Sequence, residues 1–166
     1  MEKLVWYVCY GSNLLEERFR CYITGETFRV NGVKYRGCTD KTPPRDKRAA
    51  ILPCELYFAK KSSSWDGGGV AFLDKDKPSV VLGKMYLISE EQFREIHEQE
   101  GPWYKALLNF GEHGGYPVKS FTSEKRCAEN PPSEKYRRVI TAGMREMLED
   151  KGIFKFPAVV LPAGRF

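Results

Sequence analysis

The chain is poor in metal-binding side chains. It has two histidines, His97 and His113, and neither sits at ligand spacing from a cysteine, so no zinc site is expected. Its cysteines, Cys9, Cys21, Cys38, Cys54 and Cys127, are odd in number and widely spaced, with no Cys-x-x-Cys pair. That usage excludes a disulfide framework and a dithiol redox motif, and predicts reduced thiols. The apolar run over residues 4–10 is far short of the roughly 20 residues that a membrane helix needs. It also lacks the small-residue cleavage pattern of a secretory signal, so a cytoplasmic protein without membrane contact is expected. There is no G-x-S-x-G elbow for a nucleophilic serine. Gly67-Gly68-Gly69 lacks the Gly-Lys-Ser/Thr ending of a phosphate loop. Strong charge of either sign is missing too. The net charge of +5 comes from 27 basic and 22 acidic residues. The densest basic stretches, residues 41–48 and 135–138, are interleaved with Pro, Asp, Glu or Tyr. They read as solvated faces, so nucleic acid is not expected as a partner.

What remains is an ordinary globular composition, 42% hydrophobic and 30% charged over 166 residues, which suits a single domain over 1–166. The most informative segment is Tyr10-Gly11-Ser12-Asn13-Leu14. It follows a β-like apolar run, Leu4-Val5-Trp6-Tyr7-Val8-Cys9, and precedes a helical stretch from Leu14 to Phe19. Strand, Gly-Ser-Asn, helix is the layout of a small anion site. Gly11 permits a sharp turn and close approach of a ligand. Asn13 is placed to cap the helix, whose first N–H groups favour a negative group. The same five residues also fit an ordinary turn with an ordinary cap.

Along the chain, strand-like runs are expected at residues 54–59, 70–73 and 80–88. A Gly/Ser-rich loop, residues 62–69, separates the first two. Ser89 with Gln92 has capping-box spacing and should open a helix from about residue 90 to 99 or 100, ended by Gly101-Pro102. Residues 104–110 and 116–121 read as strands, the second at an edge or interrupted because of Pro117. Pro131-Pro132-Ser133 should open the longest helix, ending near residues 151–152. Its apolar stripe is Tyr136, Val139, Ile140, Gly143, Met144, Met147 and Leu148. Residues 156–162 look like an extended tail. The pattern predicts an α+β domain: a small mixed β-barrel with flanking helices.

One carboxylate lies where the period demands a hydrophobe. Phe93 and Ile96 mark the inward face of the middle helix, and one turn later the same face reaches Glu100. Burial and the helix C-terminal dipole would both raise its pKa. Such a group can accept a proton near neutral pH and return it. A frayed, hydrated helix end is the competing account of Glu100. Ser12 has no evident His-Asp pair to activate it. Cys9 reads as a small core residue. Tyr136 belongs to a core stripe but sits in the first turn of its helix, so its hydroxyl can reach a cavity there.

Together these pieces resemble the γ-glutamylcyclotransferase-like family. Residues Tyr7-Val8-Cys9-Tyr10-Gly11-Ser12-Asn13-Leu14 resemble its signature strand and loop. Trp65-Asp66-Gly67-Gly68-Gly69 is similar to its Trp-x-Gly-Gly segment. The strand over residues 82–88 and the helix ending Glu98-Gln99-Glu100-Gly101 resemble its strand, helix and catalytic Glu-Gly, with Tyr104 where a tyrosine follows. Pro132-Ser133-Glu134-Lys135-Tyr136 resembles its Pro-Ser-x-x-Tyr helix. The resemblance implies the family's small α/β barrel and an intramolecular acyl transfer, in which a γ-glutamyl amine cyclises to 5-oxoproline and releases the amine. It further implies that the backbone of Tyr7, Val8, Cys9, Tyr10, Gly11, Ser12, Asn13 and Leu14 binds the glutamyl carboxylate and the oxyanion. Glu100 would be the acid/base, and Tyr136 and Tyr104 would orient the substrate. The nucleophile belongs to the substrate, so no metal or organic cofactor is implied. The partner is a small γ-glutamyl molecule, and a homodimer is left open.

The chain departs from the family in three places. The interval from Glu100 to Tyr104 is short, the Gly-Leu-Pro turn after the long helix is missing, and residues 41–48 have no counterpart. The leaving amine is therefore open. Two other functions remain in view: a carboxylate-binding module without turnover, and an adaptor using residues 41–48.

Overall fold

The structure is a computed structural model, in which residues 1–147, 149 and 152–159 are described. At its centre lies β1 (Leu4–Cys9), apolar along its length and buried beyond its first residue. It pairs antiparallel with β5 (Val81–Ser89), Tyr7 opposite Tyr86 and Cys9 opposite Lys84. On its other side it pairs in parallel with β7 (Tyr116–Thr122), Tyr7 opposite Lys119. With β2 (Asp46–Leu52), β6 (Ala106–His113) and β8 (Ile153–Lys155) these strands form a six-stranded mixed sheet, ordered β6-β7-β1-β5-β2-β8. The hairpin of β3 (Glu55–Ser62) and β4 (Gly68–Asp74) is a separate two-stranded sheet. Three helices complete the fold: α1 (Glu16–Thr24), α2 (Glu90–Glu100) and α3 (Glu134–Met147).

The fold is therefore mixed α+β, but the expected barrel is not closed. Where β4 approaches β7, the Thr122 hydroxyl accepts from Leu73 N and donates to Leu73 O, both at 3.0 Å. A side chain occupies the place of a backbone ladder, and the main sheet stays open. Hydrophobic periodicity reports which residues are buried but not whether the last two strands pair.

Other expectations change as well. No strand was named over residues 46–52, yet β2 is an interior strand of the sheet there. Its charged first residues hide its apolar end, Ala49 to Leu52. β7 is not an edge strand, since it lies between β6 and β1. Pro117 is tolerated near the start of β7, ahead of the parallel register that begins at Val118, and β6 shifts register between Asn109 and Gly111. α3 ends at Met147, before the expected residues 151–152, and β8 was not foreseen. Leu148 and residues 160–162, which figured in the helix stripe and the tail, lie outside the described residues.

Both later helices open where expected. Ser89 and Gln92 form a reciprocal capping box at α2. The Ser133 hydroxyl accepts from Tyr136 N at 3.2 Å at the start of α3. All five cysteines are unpaired, and four are buried. No helix among the described residues is long and apolar enough to cross a membrane.

Candidate functional site

The chamber forms where β1 runs out. Strand pleating turns alternate side chains to opposite faces. Tyr7 and Cys9 thus face the chamber, whereas Val8 faces away and is fully buried. After Cys9 the chain makes a 3₁₀ turn, Ser12–Leu14, before α1 starts at Glu16. Asn13 is not a helix cap. It is buried within that turn, and neither turn nor helix has a side-chain cap. The first turn of α1 is not open to an anion either, because Glu16 N donates to Glu146 Oε1 at 3.0 Å.

Close packing fixes the loop. A Cβ on Gly11 would lie 2.7 Å from the Tyr136 hydroxyl. One on Gly143 would lie 2.5 Å from the Leu14 backbone. Two turns of α3 thus press on the loop at two glycines. The Gly67-Gly68-Gly69 segment is shaped by similar approaches, since a Cβ on Gly69 would overlap the Asn130 carbonyl. Close approach explains Gly68 and Gly69, and a φ of 76° explains Gly67, without any phosphate.

α2 delivers Glu100. Phe93 and Ile96 anchor its inward face, and Gly101, at φ 88°, ends it in a conformation that suits glycine. The Glu100 carboxylate accepts from Asn13 Nδ2 at 3.0 Å, and the same amide nitrogen reaches the Tyr7 hydroxyl at 3.2 Å. Tyr22 also hydrogen-bonds Glu100, and Arg18 attracts it electrostatically. Burial outweighs all three, so the Glu100 carboxyl is pushed above its ordinary value. Glu100 is thus half-buried and faces the chamber, on the inward phase expected of it, with its carboxyl raised.

Tyr136 closes the opposite wall. Its oxygen accepts from Ala71 N at 3.1 Å and from the Ser12 backbone, so its own proton has no acceptor among the described residues. Burial raises its hydroxyl to about 12. Tyr104 also lines the chamber, but its proton is committed to Ala71 O at 2.9 Å. Tyr10 lines it while donating to Phe121 O at 2.7 Å. Leu14 is buried beneath the loop and does not reach the chamber. The Cys9 thiol donates to Lys84 O, and burial raises its pKa strongly, so it is no nucleophile.

This small inner chamber, bounded by the Gly11–Asn13 turn, Glu100, Tyr104 and Tyr136, opens into a larger cavity of about 410 Å³. Sequence reasoning missed the residue that dominates the outer part. Arg18 is only 3% exposed and lies over the rings of Tyr35 at 4.2 Å and Tyr22 at 4.6 Å. Its Nε donates to Ser12 Oγ at 3.3 Å and its Nη2 to Tyr22 Oη at 3.0 Å. Its Nη1 is buried without a partner, as is Asn13 Oδ1. The available signal was an arginine in the first turn of α1, aligned with Tyr22 four residues on. No cluster of three His, Cys, Asp or Glu side chains suited to a metal ion occurs among the described residues.

No family model matches the chain. It is 38% identical over 190 aligned residues to histone deacetylase 5 of Arabidopsis thaliana, an alignment covering 86% of this chain and 28% of that protein. The chain thus spans under a third of the curated relative it matches. Among solved structures, a gamma-glutamyl cyclotransferase superposes with a TM-score of 0.65 at 20% identity, covering 89% of this chain and 82% of that one. An uncharacterized protein from Homo sapiens gives 0.63 at 22% identity, covering 87% and 80%. YkqA from Bacillus subtilis gives 0.57 at 19%, covering 91% and 57%. The chain therefore has the gamma-glutamyl cyclotransferase-like fold.

Proposed function

We propose that the chain is a cyclotransferase-type enzyme that converts a γ-glutamyl amine or γ-glutamyl amino acid to 5-oxoproline and the free amine. The observation that carries this reading is the Glu100 carboxylate held 3.0 Å from the Asn13 amide, against the turn after β1 and inside a chamber. The fold shared with a gamma-glutamyl cyclotransferase adds support, but a fold alone does not assign a reaction.

In this reading the α-ammonium of the glutamyl group sits between Glu100 and the unpartnered Asn13 Oδ1, both acceptors. Glu100 takes one ammonium proton, and the freed amine attacks its own γ-carbonyl. Negative charge builds on that carbonyl oxygen. The unshared Tyr136 proton and the backbone N–H groups of the Gly11–Asn13 turn other than that of Ser12 are the donors that meet it. The nitrogen loses its second proton as the lactam C–N bond forms. The γ-amide C–N bond breaks, and the departing nitrogen takes up two protons, one of them returned by Glu100. Protons balance, and the nucleophile is the substrate's own. Holding the two ends of one molecule together supplies much of the rate.

The test is 5-oxoproline release from a panel of γ-glutamyl amines. Glu100→Gln should lower kcat by about 10²–10⁴-fold, the range for loss of a general acid/base. Equal turnover by that variant would overturn the mechanism. Binding across the panel without turnover by the wild type would instead make the chain a carboxylate-binding module.

A further inference from the structure

The outer cavity contains a cation that the reaction above leaves unused. Arg18 is buried in an aromatic surround of Tyr22, Tyr35, Phe28 and Trp65. Among the described residues no carboxylate lies within ion-pair distance of it. Two of its nitrogens are satisfied by neutral hydroxyls, Ser12 Oγ and Tyr22 Oη. The third, Nη1, has no acceptor. Glu100 attracts Arg18, but from beyond ion-pair distance. Guanidinium cannot neutralise itself by losing a proton, so a buried arginine without a direct ion pair is costly unless an anion completes it. Ring faces offset part of that cost. They do not supply an acceptor for an N–H in the ring plane.

Position indicates which part of a substrate that anion would belong to. Ser12, Glu100, Tyr104 and Tyr136 line both the small chamber and the 410 Å³ outer cavity, whereas Asn13 lines only the first and Arg18 only the second. In the reading above the glutamyl amine lies between Glu100 and Asn13 Oδ1, which puts that end of the substrate on the inner side. Whatever hangs from the γ-amide nitrogen then projects toward Arg18. Lys34, also on the outer cavity, extends the same sign of charge, while Arg36 there is paired with Glu98 at 2.9 Å.

We propose that Arg18 is a specificity residue: it selects γ-glutamyl conjugates whose leaving amine carries an acidic group, held by Nη1 in the outer cavity. The assignment rests on the cyclotransferase reading, because that reading places the leaving amine there. A bidentate-capable guanidinium in a desolvated wall discriminates strongly between a carboxylate and its absence.

The test compares γ-glutamyl-alanine with γ-glutamyl-ethylamine, which differ by one carboxylate. Wild-type kcat/KM for 5-oxoproline release should favour the first by about 10–100-fold, the usual worth of a hydrogen bond to a charged group. This comparison needs no variant. In Arg18→Met the preference should collapse toward unity, and Arg18→Lys should restore part of it. Equal wild-type rates on the two substrates would overturn the proposal. So would an Arg18→Met variant that slows both equally while its acid limb moves to higher pH, since Arg18 would then act only on Glu100. If neither substrate turns over, the cyclotransferase reading fails separately, and calorimetry decides the anion site. Tighter binding of the alanine conjugate by wild type, lost in Arg18→Met, upholds it; equal or absent binding removes it.

Discussion

The side-chain amide of Asn13 donates to Glu100 Oε1 at 3.0 Å, joining the turn after β1 to the last residue of α2. Those residues are 87 positions apart in sequence. The bond orients the amide, because a carboxylate can only accept. Asn13 Oδ1 is thereby turned away from Glu100 and left buried without a partner. One contact thus holds the base and presents a second acceptor beside it.

Replacing that amide by a carboxylate should shift the pH profile. In Asn13→Asp a donor to Glu100 becomes a like charge, and both changes disfavour ionised Glu100. Its carboxyl already lies above the ordinary value, so the acid limb of kcat/KM should move further toward neutral pH. A rise of about one unit is the expected order. A pH–rate profile of the variant on one γ-glutamyl substrate checks this. An unmoved acid limb would mean that Glu100 does not govern it.

The same group should make the fold pay for its site. Its folded pKa is raised, so between the unfolded value and the raised one the native state holds more protons than the unfolded state. Stability from this group is therefore full below the unfolded pKa and is lost as pH climbs through the folded one. Glu100→Gln removes the ionisation. Its Tm relative to wild type should be higher at pH 7 than at pH 4. Calorimetric melts at the two pH values measure this, and a difference of opposite sign would contradict a desolvated Glu100.

Much of the site is legible in the sequence, because local rules govern it. The phase from Phe93 through Ile96 carries Glu100 inward, and Ser89 caps α2 where its spacing with Gln92 says. What escaped depended on neighbours distant in sequence. Asn13 looked like a cap, yet its amide serves Glu100, and Glu146 from α3 covers the start of α1. Apart from Tyr22 four residues on, nothing local in sequence marks Arg18, yet rings from residues 22, 28, 35 and 65 bury it. The barrel failed to close because a threonine hydroxyl meets Leu73 where a strand was expected to pair. Periodicity carries none of these pairings.

Gly11 offers a test of packing. Its φ of −121° is not left-handed, and space is what a side chain there would contest. A Cβ there would meet the Tyr136 hydroxyl at 2.7 Å and the Ala71 Cβ at 3.0 Å. Gly11→Ala should cost about 1–3 kcal/mol, the range for overpacking. Removing the hydroxyl makes room, so Gly11→Ala/Tyr136→Phe should be less destabilised than the two single variants sum to. Denaturant melts of the four proteins give the coupling. Strict additivity would mean that the hydroxyl is not the obstacle.

On the far side of the loop, a lysine with no exposed surface sets a contrast with Glu100. Lys84 Nζ reaches Glu16 Oε1 at 3.0 Å and Glu146 Oε1 at 3.8 Å. Lys47 also pairs with Glu16. Burial raises the Glu16 carboxyl, but hydrogen bonds from the two lysines overcome it, and its pKa is lowered overall. The sign is opposite to that of Glu100: this contribution is present above the unfolded pKa and fades as pH falls through the folded one. Partner removal is asymmetric as well. Lys84→Met leaves Glu16 near water and Lys47, whereas Glu16→Gln leaves a buried ammonium with only the longer contact to Glu146. Breaking a buried pair from the side that strands the buried charge is the costlier change. Glu16→Gln should therefore lower Tm at pH 7 more than Lys84→Met does. Its deficit should shrink toward pH 4, where wild-type Glu16 itself begins to protonate. If Lys84→Met were the more destabilising of the two, Lys84 would be acting through its packed stem and not through its charge.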